Sequence, residues 1–285
     1  MRKPVDSPKT YRELIAGKKL NNNGFFPFEV RKYIDQNRLD CVDLGEIVFL
    51  FFDEVTYEQV VIYASEISPD APARCALALG PQGDIPSACN IVFRSKDDPQ
   101  AQRLSALVKE LGFQLEYVNR EHALLDVGRN AVFPPRRDSD IQVSRATVDY
   151  ADEIQALWAE GLPPFVFPHL RREEMQALIE SGLVLMATDP SGRLCGAVHY
   201  DYYLRRSISH QIVIKKEFRG RGLSNLFTYV WLRQISDAAA AIVWIEERNR
   251  VPAKLVEAHG FRKTGKISHQ YIRRKEHGTT VADHG

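Results

Sequence analysis

Ile212-Val213-Ile214-Lys215-Lys216-Glu217-Phe218-Arg219-Gly220-Arg221-Gly222-Leu223-Ser224-Asn225 is the stretch on which the fold turns. Its β-branched start predicts a buried strand. After the charged turn, Leu223, Leu226, Phe227, Val230, Trp231 and Ile235 recur at helical spacing and predict a helix with one apolar face. Strand, glycine turn and helix start together make a cradle for phosphate. Glycine lets the backbone approach an anion with no Cβ in the way. The first amides of a helix have no partner inside it, and the helix dipole favours negative charge there. Arg219 and Arg221 add positive charge. A glycine pair between strand and helix is by itself also the mark of a plain tight turn, so the stretch needs a companion.

The companion lies downstream. Ala241-Ile242-Val243-Trp244-Ile245 predicts a second strand, Glu246-Glu247-Arg248-Asn249 its exit, Val251–His259 a helix and Gly260-Phe261 its end. Together the two stretches resemble the acyl-CoA-binding core of the GNAT superfamily of N-acetyltransferases. Arg219, Gly222 and Ser224 fall on that family's Gln/Arg-x-x-Gly-x-Gly/Ala pyrophosphate motif, with Ser224 replacing the usual small apolar residue. Asn249, Gly260 and Phe261 fall on its later motif. The resemblance implies an α/β (α+β) fold with a mixed sheet. It also implies an acyltransferase that moves an acetyl group from acetyl-CoA, as co-substrate, directly to an amine. The backbone of Ile212, Val213 and Ile214 would pair with the pantetheine arm. The amides of Arg219, Gly220, Arg221, Gly222, Leu223 and Ser224 would hold the pyrophosphate, and Asn249 would hydrogen-bond the arm. Asn249 is also suited to capping the helix that follows it.

Acyl transfer needs a base, an oxyanion donor and a leaving thiolate. A backbone amide near Val213 or Ile214 is the expected oxyanion donor. The candidate bases on the strand and strand exit are Ser209, His210, Gln211, Glu246 and Glu247, with His210 and Glu246 foremost. Histidine has a suitable unperturbed pKa. A glutamate works through a water where burial raises its pKa. Plain structural roles stand beside these: His210 alternates with Ile208 and Ile212, and the glutamates have Arg248 and Arg250 as neighbours.

Many GNAT enzymes carry a Tyr acid seven residues after the Asn. Here that position is Val256, which cannot donate a proton. A thiol of pKa about 8.5 leaves near neutral pH without help, and losing general acid catalysis costs about 10²–10⁴ in rate. Tyr271, Ser268 or a water are the stand-ins. Val256 and Ser224 keep open a second reading, a non-catalytic acyl-CoA-binding sensor. The resemblance puts the loop Pro163–Pro168 where the acceptor is met, with Tyr200-Asp201-Tyr202-Tyr203 on a neighbouring strand. Asp201 could attract an ammonium and the tyrosines stack on it, and core packing or an interdomain seam accounts for the aromatics equally well. The expected acceptor is a small-molecule or peptide amine.

The chain repeats itself. Leu107-Val108-Lys109-Glu110-Leu111-Gly112-Phe113 parallels Leu255-Val256-Glu257-Ala258-His259-Gly260-Phe261. Each follows a strand and a helix, so the chain reads as two related halves. The first half lacks an arginine-glycine turn, has Ala101 where the second has Asn249, and puts Asp53 and Glu54 after its best strand, where they would repel phosphate. The expected organisation is a degenerate GNAT-like domain over 1–133 that does not bind CoA, a linker over 134–140, a GNAT domain over 141–275 and a disordered tail over 276–285.

Composition bounds the rest. The chain has 285 residues, 44% hydrophobic and 26% charged, enough for a real core. A net charge of +1 makes no case for nucleic acid or an anionic membrane. No apolar run is long enough to span a bilayer, and the N-terminus has no apolar signal region. Four scattered cysteines read as free thiols, which points to the cytoplasm. The eight histidines show no HExxH or paired-ligand spacing, so no metal is expected. The chain also predicts strands over Ile47–Phe52, Ala76–Leu79 and Ile91–Phe93, and leaves Tyr57–Ala64 as strand or helix. A helix begins at Pro99 with Asp97 or Asp98 as its cap, and polar residues 1–23 wrap the surface.

Overall fold

A computed structural model describes residues 2–22, 27–54, 56–79, 86–95, 97–134, 140–162, 165 and 170–274. The core of the expected linker (135–139), the turns at 24–26 and 80–84, most of the loop 163–168 and the tail lie outside the described residues. No described helix is long and apolar enough to cross a membrane.

Contacts divide the chain into two compact units, Met1–Tyr117 with Ser268–Gly285, and Val118–Ile267. The first unit runs β1 (Lys3–Pro4), α1 (Pro8–Ile15), β2 (Leu20–Asn21), α2 (Pro27–Asp35), β3 (Leu39–Asp43), β4 (Ile47–Asp53), β5 (Glu58–Ala64), α3 (Ala71–Leu79), β6 (Ser87–Phe93) and α4 (Pro99–Glu110). Strand β7 (Gln114–Leu125) carries the chain into the second unit. That unit continues with α5 (Val127–Asn130), β8 (Gln142–Arg145), α6 (Ala151–Gly161), α7 (Arg172–Glu180), β9 (Val184–Thr188), β10 (Leu194–Tyr203), β11 (Arg206–Ile214), α8 (Leu223–Gln234), β12 (Ala240–Glu246) and α9 (Arg250–Ala258). Strand β13 (Arg262–Arg273) returns to the first unit. The contact boundary falls inside these two long strands.

Each unit has a mixed sheet built on one plan. In the first, β1, β3, β4 and β5 pair antiparallel, β6 joins β5 in parallel and the end of β13 follows β6. In the second, β8 to β11 pair antiparallel, β12 joins β11 in parallel and β7 lies antiparallel to β12. The repeated sequence has the same geometry twice. Phe113 N–H donates to Val108 O (3.0 Å) and Gly112 N–H to Lys109 O (3.0 Å). Phe261 N–H donates to Val256 O (3.2 Å) and Gly260 N–H to Glu257 O (3.1 Å). Both are Schellman ends, and both phenylalanines are buried.

Two expectations need correcting, and one left open is decided. Ala76–Leu79 ends helix α3 and is not a strand. The run Ala71-Pro72-Ala73-Arg74-Cys75-Ala76 is rich in the best helix former, and Ala71 and Cys75, four apart, are its buried face. Tyr57–Ala64 resolves as strand β5 from Glu58. The first 23 residues do more than wrap the surface, since Val5 and Leu20 are buried and β2 pairs with β5.

That pairing closes a gap. The parallel ladder of β5 and β6 covers only Glu58↔Ser87 and Gln59↔Ala88, and the strands part beyond it. Asn22, 1% exposed, sits between them. Its Nδ2 donates to Val60 O (3.2 Å) and Cys89 Sγ (3.3 Å), and its Oδ1 accepts from Ile62 N–H (2.9 Å). Asn22→Leu would orphan these groups, each at about 1–3 kcal/mol. The urea midpoint is expected to fall with its slope unchanged; an unmoved midpoint would mean that Asn22 does not pin the strands.

Candidate active site

The second unit has an open gap at the corresponding place. The parallel ladder of β11 and β12 runs Arg206↔Ala240, Ser207↔Ala241, Ile208↔Ile242 and Ser209↔Val243, and there it ends. β11 stays paired with β10 through Ile214. Its other edge, from His210 to Ile214, therefore presents unpaired backbone groups to the gap.

A bulge opens it. Across β10 and β11 the register passes from His199↔Gln211 to Tyr200↔Ser209, so His210 is one residue too many. An extra residue bends a strand and reverses which face later side chains take. Ser207, before the bulge, accepts from Trp231 Nε1 of α8 (2.9 Å). Val213, after it, packs with Ile154, Leu157 and Trp158 of α6. Ile212 and Ile214 now face the cluster around Leu223 and Phe227. The approach is tight: a Cβ on Gly161 would stand 2.3 Å from Val213 Cγ1, so α6 can end there only in glycine.

The turn after β11 has the form read from the sequence. Gly222 has φ +83° and forms the N-cap of α8. A Cβ there would be strained, and Gly220 has φ +78°. Among the described residues, the amides of Arg221, Gly222, Leu223, Ser224 and Asn225 donate to no protein acceptor. Arg219 Nε donates to Ile214 O (3.1 Å), tying the turn to the end of β11. The Arg221 guanidinium lies 5.2 Å over the Phe218 ring. A cavity of about 630 Å³ is lined by Ile212 to Ile214, by Arg219 to Asn225, and by Val251 and Leu255 of α9.

Asn249 stands at the N-cap of α9, but its side chain makes no capping bond and is exposed. Val256 is 6% exposed and belongs to the core cluster with Phe261. The C-terminal bond pattern of α9 makes it the packing partner that such a helix end requires, so Val256 is a core residue, and a tyrosine there would overpack. Of the two named stand-ins for the acid, Tyr271 is buried with its hydroxyl on Ser105, and Ser268 is also buried.

The base candidates separate. Glu247 is paired with Arg120 (Nε–Oε1 2.8 Å), rather than with Arg248 or Arg250. Ser209 and Gln211 are buried. Glu246 is half-buried at the end of β12, and its carbonyl accepts Asn249 N–H (2.9 Å). His210 alone meets a carboxylate suited to orient it: its Nε2 lies 2.6 Å from Asp201 Oδ2. This is a charge-assisted hydrogen bond, and it leaves Nδ1 of the neutral ring with the lone pair.

His199, which the sequence did not single out, completes the group. Its ring stacks on that of His210 at 4.8 Å, and its Nε2 lies 3.4 Å from Asp201 Oδ1. Burial alone would raise the Asp201 carboxyl, but hydrogen bonds from His199 and His210 outweigh it and hold it well below the usual carboxylate range. Burial depresses the His199 imidazole, more than the neighbouring carboxylate can offset. The ligand-capable atoms of His199, Asp201 and His210 lie within 4.8 Å of one another. Spacing along the chain does not show this cluster, because it draws on two antiparallel strands.

No protein-family model matches the sequence, and no curated protein matches it. Solved structures do. One is a GCN5-related glucosamine N-acetyltransferase region of a fungal multi-domain GH3 β-N-acetylglucosaminidase, with a TM-score of 0.65 and 14% identity over 95% of this chain and 38% of that one. A GCN5-related N-acetyltransferase from Sphaerobacter thermophilus has a TM-score of 0.59 and 15% identity over 95% and 94% of the two chains. A tandem GNAT protein from the clavulanic acid biosynthesis pathway has a TM-score of 0.55 and 15% identity over 82% of each chain. With the bulged strand, the parted ladder and the glycine cradle, these likenesses show that the chain has the fold of the GCN5-related N-acetyltransferases.

Proposed function

We propose that the chain is an acyl-CoA-dependent N-acyltransferase that carries an acetyl group from acetyl-CoA to the amine of a small molecule or peptide. One observation carries the reading: the unpartnered amides from Arg221 to Asn225 open onto the same cavity as the unpaired edge of Ile212 to Ile214. A diphosphate suits the first and an amide-bearing arm the second, since an extended ligand pairs with a free strand edge as an added strand would. Arg219 and Arg221 supply charge, and Asn249, exposed and uncapping, is free to bond the arm.

His210 is the proposed base. Held by ionised Asp201, it takes the proton of the acceptor amine at Nδ1 while the amine attacks the thioester carbon. The carbonyl oxygen becomes an oxyanion and meets a backbone amide near Val213 or Ile214. The C–S bond then breaks and CoA leaves as the thiolate, with no acid at Val256. The first unit reads as the non-binding half, because Asn22 occupies its own gap. Buried free cysteines suit a reducing compartment such as the cytoplasm.

The core position of Val256 favours a second reading, an acyl-CoA binder without turnover. Thiol release from acetyl-CoA against a panel of amines, with thermal shift by CoA, acetyl-CoA and ATP alongside, separates the two. The transferase gives a CoA-specific shift and amine-dependent thiol. A shift without thiol leaves the binder, and a shift with ATP alone sinks both.

A further inference from the structure

Gln211 is 6% exposed, and neither Oε1 nor Nε2 of its side chain has a hydrogen-bond partner among the described residues. A buried amide left without partners is costly, and folded proteins rarely keep one without a use for it. Its position suggests the use. Gln211 is the first residue after the bulged His210 and the last before the strand edge proposed to hold the pantetheine arm. It lies in register with His199. It shares the strand face of Val213, turned towards Trp158 of α6, and Trp158 also stands 6.3 Å from the His199 ring. The carboxamide is thus set beside the His199–Asp201–His210 cluster, apart from the residues that line the cradle cavity.

We propose that the Gln211 carboxamide selects the acceptor, by pairing with a hydroxyl or amide group that stands next to the amine to be acylated. This rests on the acyl transfer proposed above. A carboxamide presents a donor and an acceptor side by side, so it matches groups that both give and take a hydrogen bond. An ammonium only donates and a carboxylate only accepts. The ammonium is the business of Asp201 and His210, and Gln211 reads what is attached beside it. A site built to bond such a group discriminates strongly against an analogue that lacks it.

The test uses the full chain with acetyl-CoA and three probes, propylamine, 2-aminoethanol and glycinamide. The wild type is expected to use 2-aminoethanol or glycinamide roughly tenfold or more better than propylamine in kcat/KM. Gln211→Met should bring the three to within roughly threefold and leave the KM for acetyl-CoA unchanged. Without any amine, the same variant should melt about 2–4 °C higher, since it removes an unpaired polar group from the interior. If Gln211→Met does not fold, Gln211→Glu serves in its place, and it should lose at least the glycinamide preference. A wild type with no preference, a preference that survives the substitution, or a lower melting temperature with selectivity intact overturns the assignment. If CoA fails to stabilise the wild type, the acyl-transfer reading falls first. If CoA binding and thiol release hold while selectivity does not move, only the role of Gln211 falls.

Discussion

The Arg219→Glu protein is expected to fold normally and to lose the rise in melting temperature that CoA gives the wild type. A ligand at about 100 times its dissociation constant stabilises the folded state by about 2.7 kcal/mol. For a cooperative unit of this size that is a rise of roughly 5–10 °C. Arg219 is exposed; its amide, which was expected on the pyrophosphate, donates to Lys216 O (3.2 Å), and its side chain donates from Nε to the Ile214 carbonyl, so the fold should bear the change at small cost. The ligand should not. A charge reversal beside a diphosphate replaces attraction by repulsion, at up to about 4 kcal/mol per charge pair near a protein surface. Differential scanning fluorimetry with and without CoA reads the outcome. A variant that keeps the full shift would mean that the diphosphate sits elsewhere.

Replacing His210 by Ala is expected to lower kcat by about 10²–10⁴, with the KM for acetyl-CoA little changed. The split follows from position, since His210 is not among the residues that line the cradle cavity. Added imidazole should restore part of the rate. Asp201→Asn should give a smaller loss of the same kind, because the ring keeps its place but loses the ionised carboxylate that orients it. Glu246→Gln is the control. If it removes the activity while His210→Ala stays within roughly threefold of the wild type, the base is Glu246, and the His210–Asp201 pair serves only the strand bulge.

Much of the cradle was legible in the sequence because its signals are local. Arg219 to Asn225 announce themselves through glycines between a β-branched run and a helical periodicity, and Asp98-Pro99 begin α4 with a cap that is present. Gly112-Phe113 and Gly260-Phe261 end their helices alike because one short motif satisfies the last carbonyls in both. The bulge was not legible. In Ser207-Ile208-Ser209-His210-Gln211-Ile212 the isoleucines keep an even spacing across His210, and only the register with β10 shows that His210 is supernumerary. The same holds for His199, which follows the apolar run Leu194–Val198 and shows no partner in sequence until β11 brings His210 beside it. Strand β2 is two residues long, too short for any period, and the strands β7 and β13 pass between the units through pairings distant in sequence. Val256 shows the limit of motif reading. Its departure from the family's tyrosine looked like a matter of chemistry, and the structure makes it a matter of packing.

Amide hydrogen exchange with and without CoA examines most directly whether a diphosphate is gripped at the start of α8 and its arm held along β11. Slowed exchange is predicted for Arg221 to Asn225 and for Ile212 to Ile214 together, with the segment around Asn22 and β5 unchanged. Protection confined to other segments, or absent from these two while CoA is demonstrably bound, would contradict it.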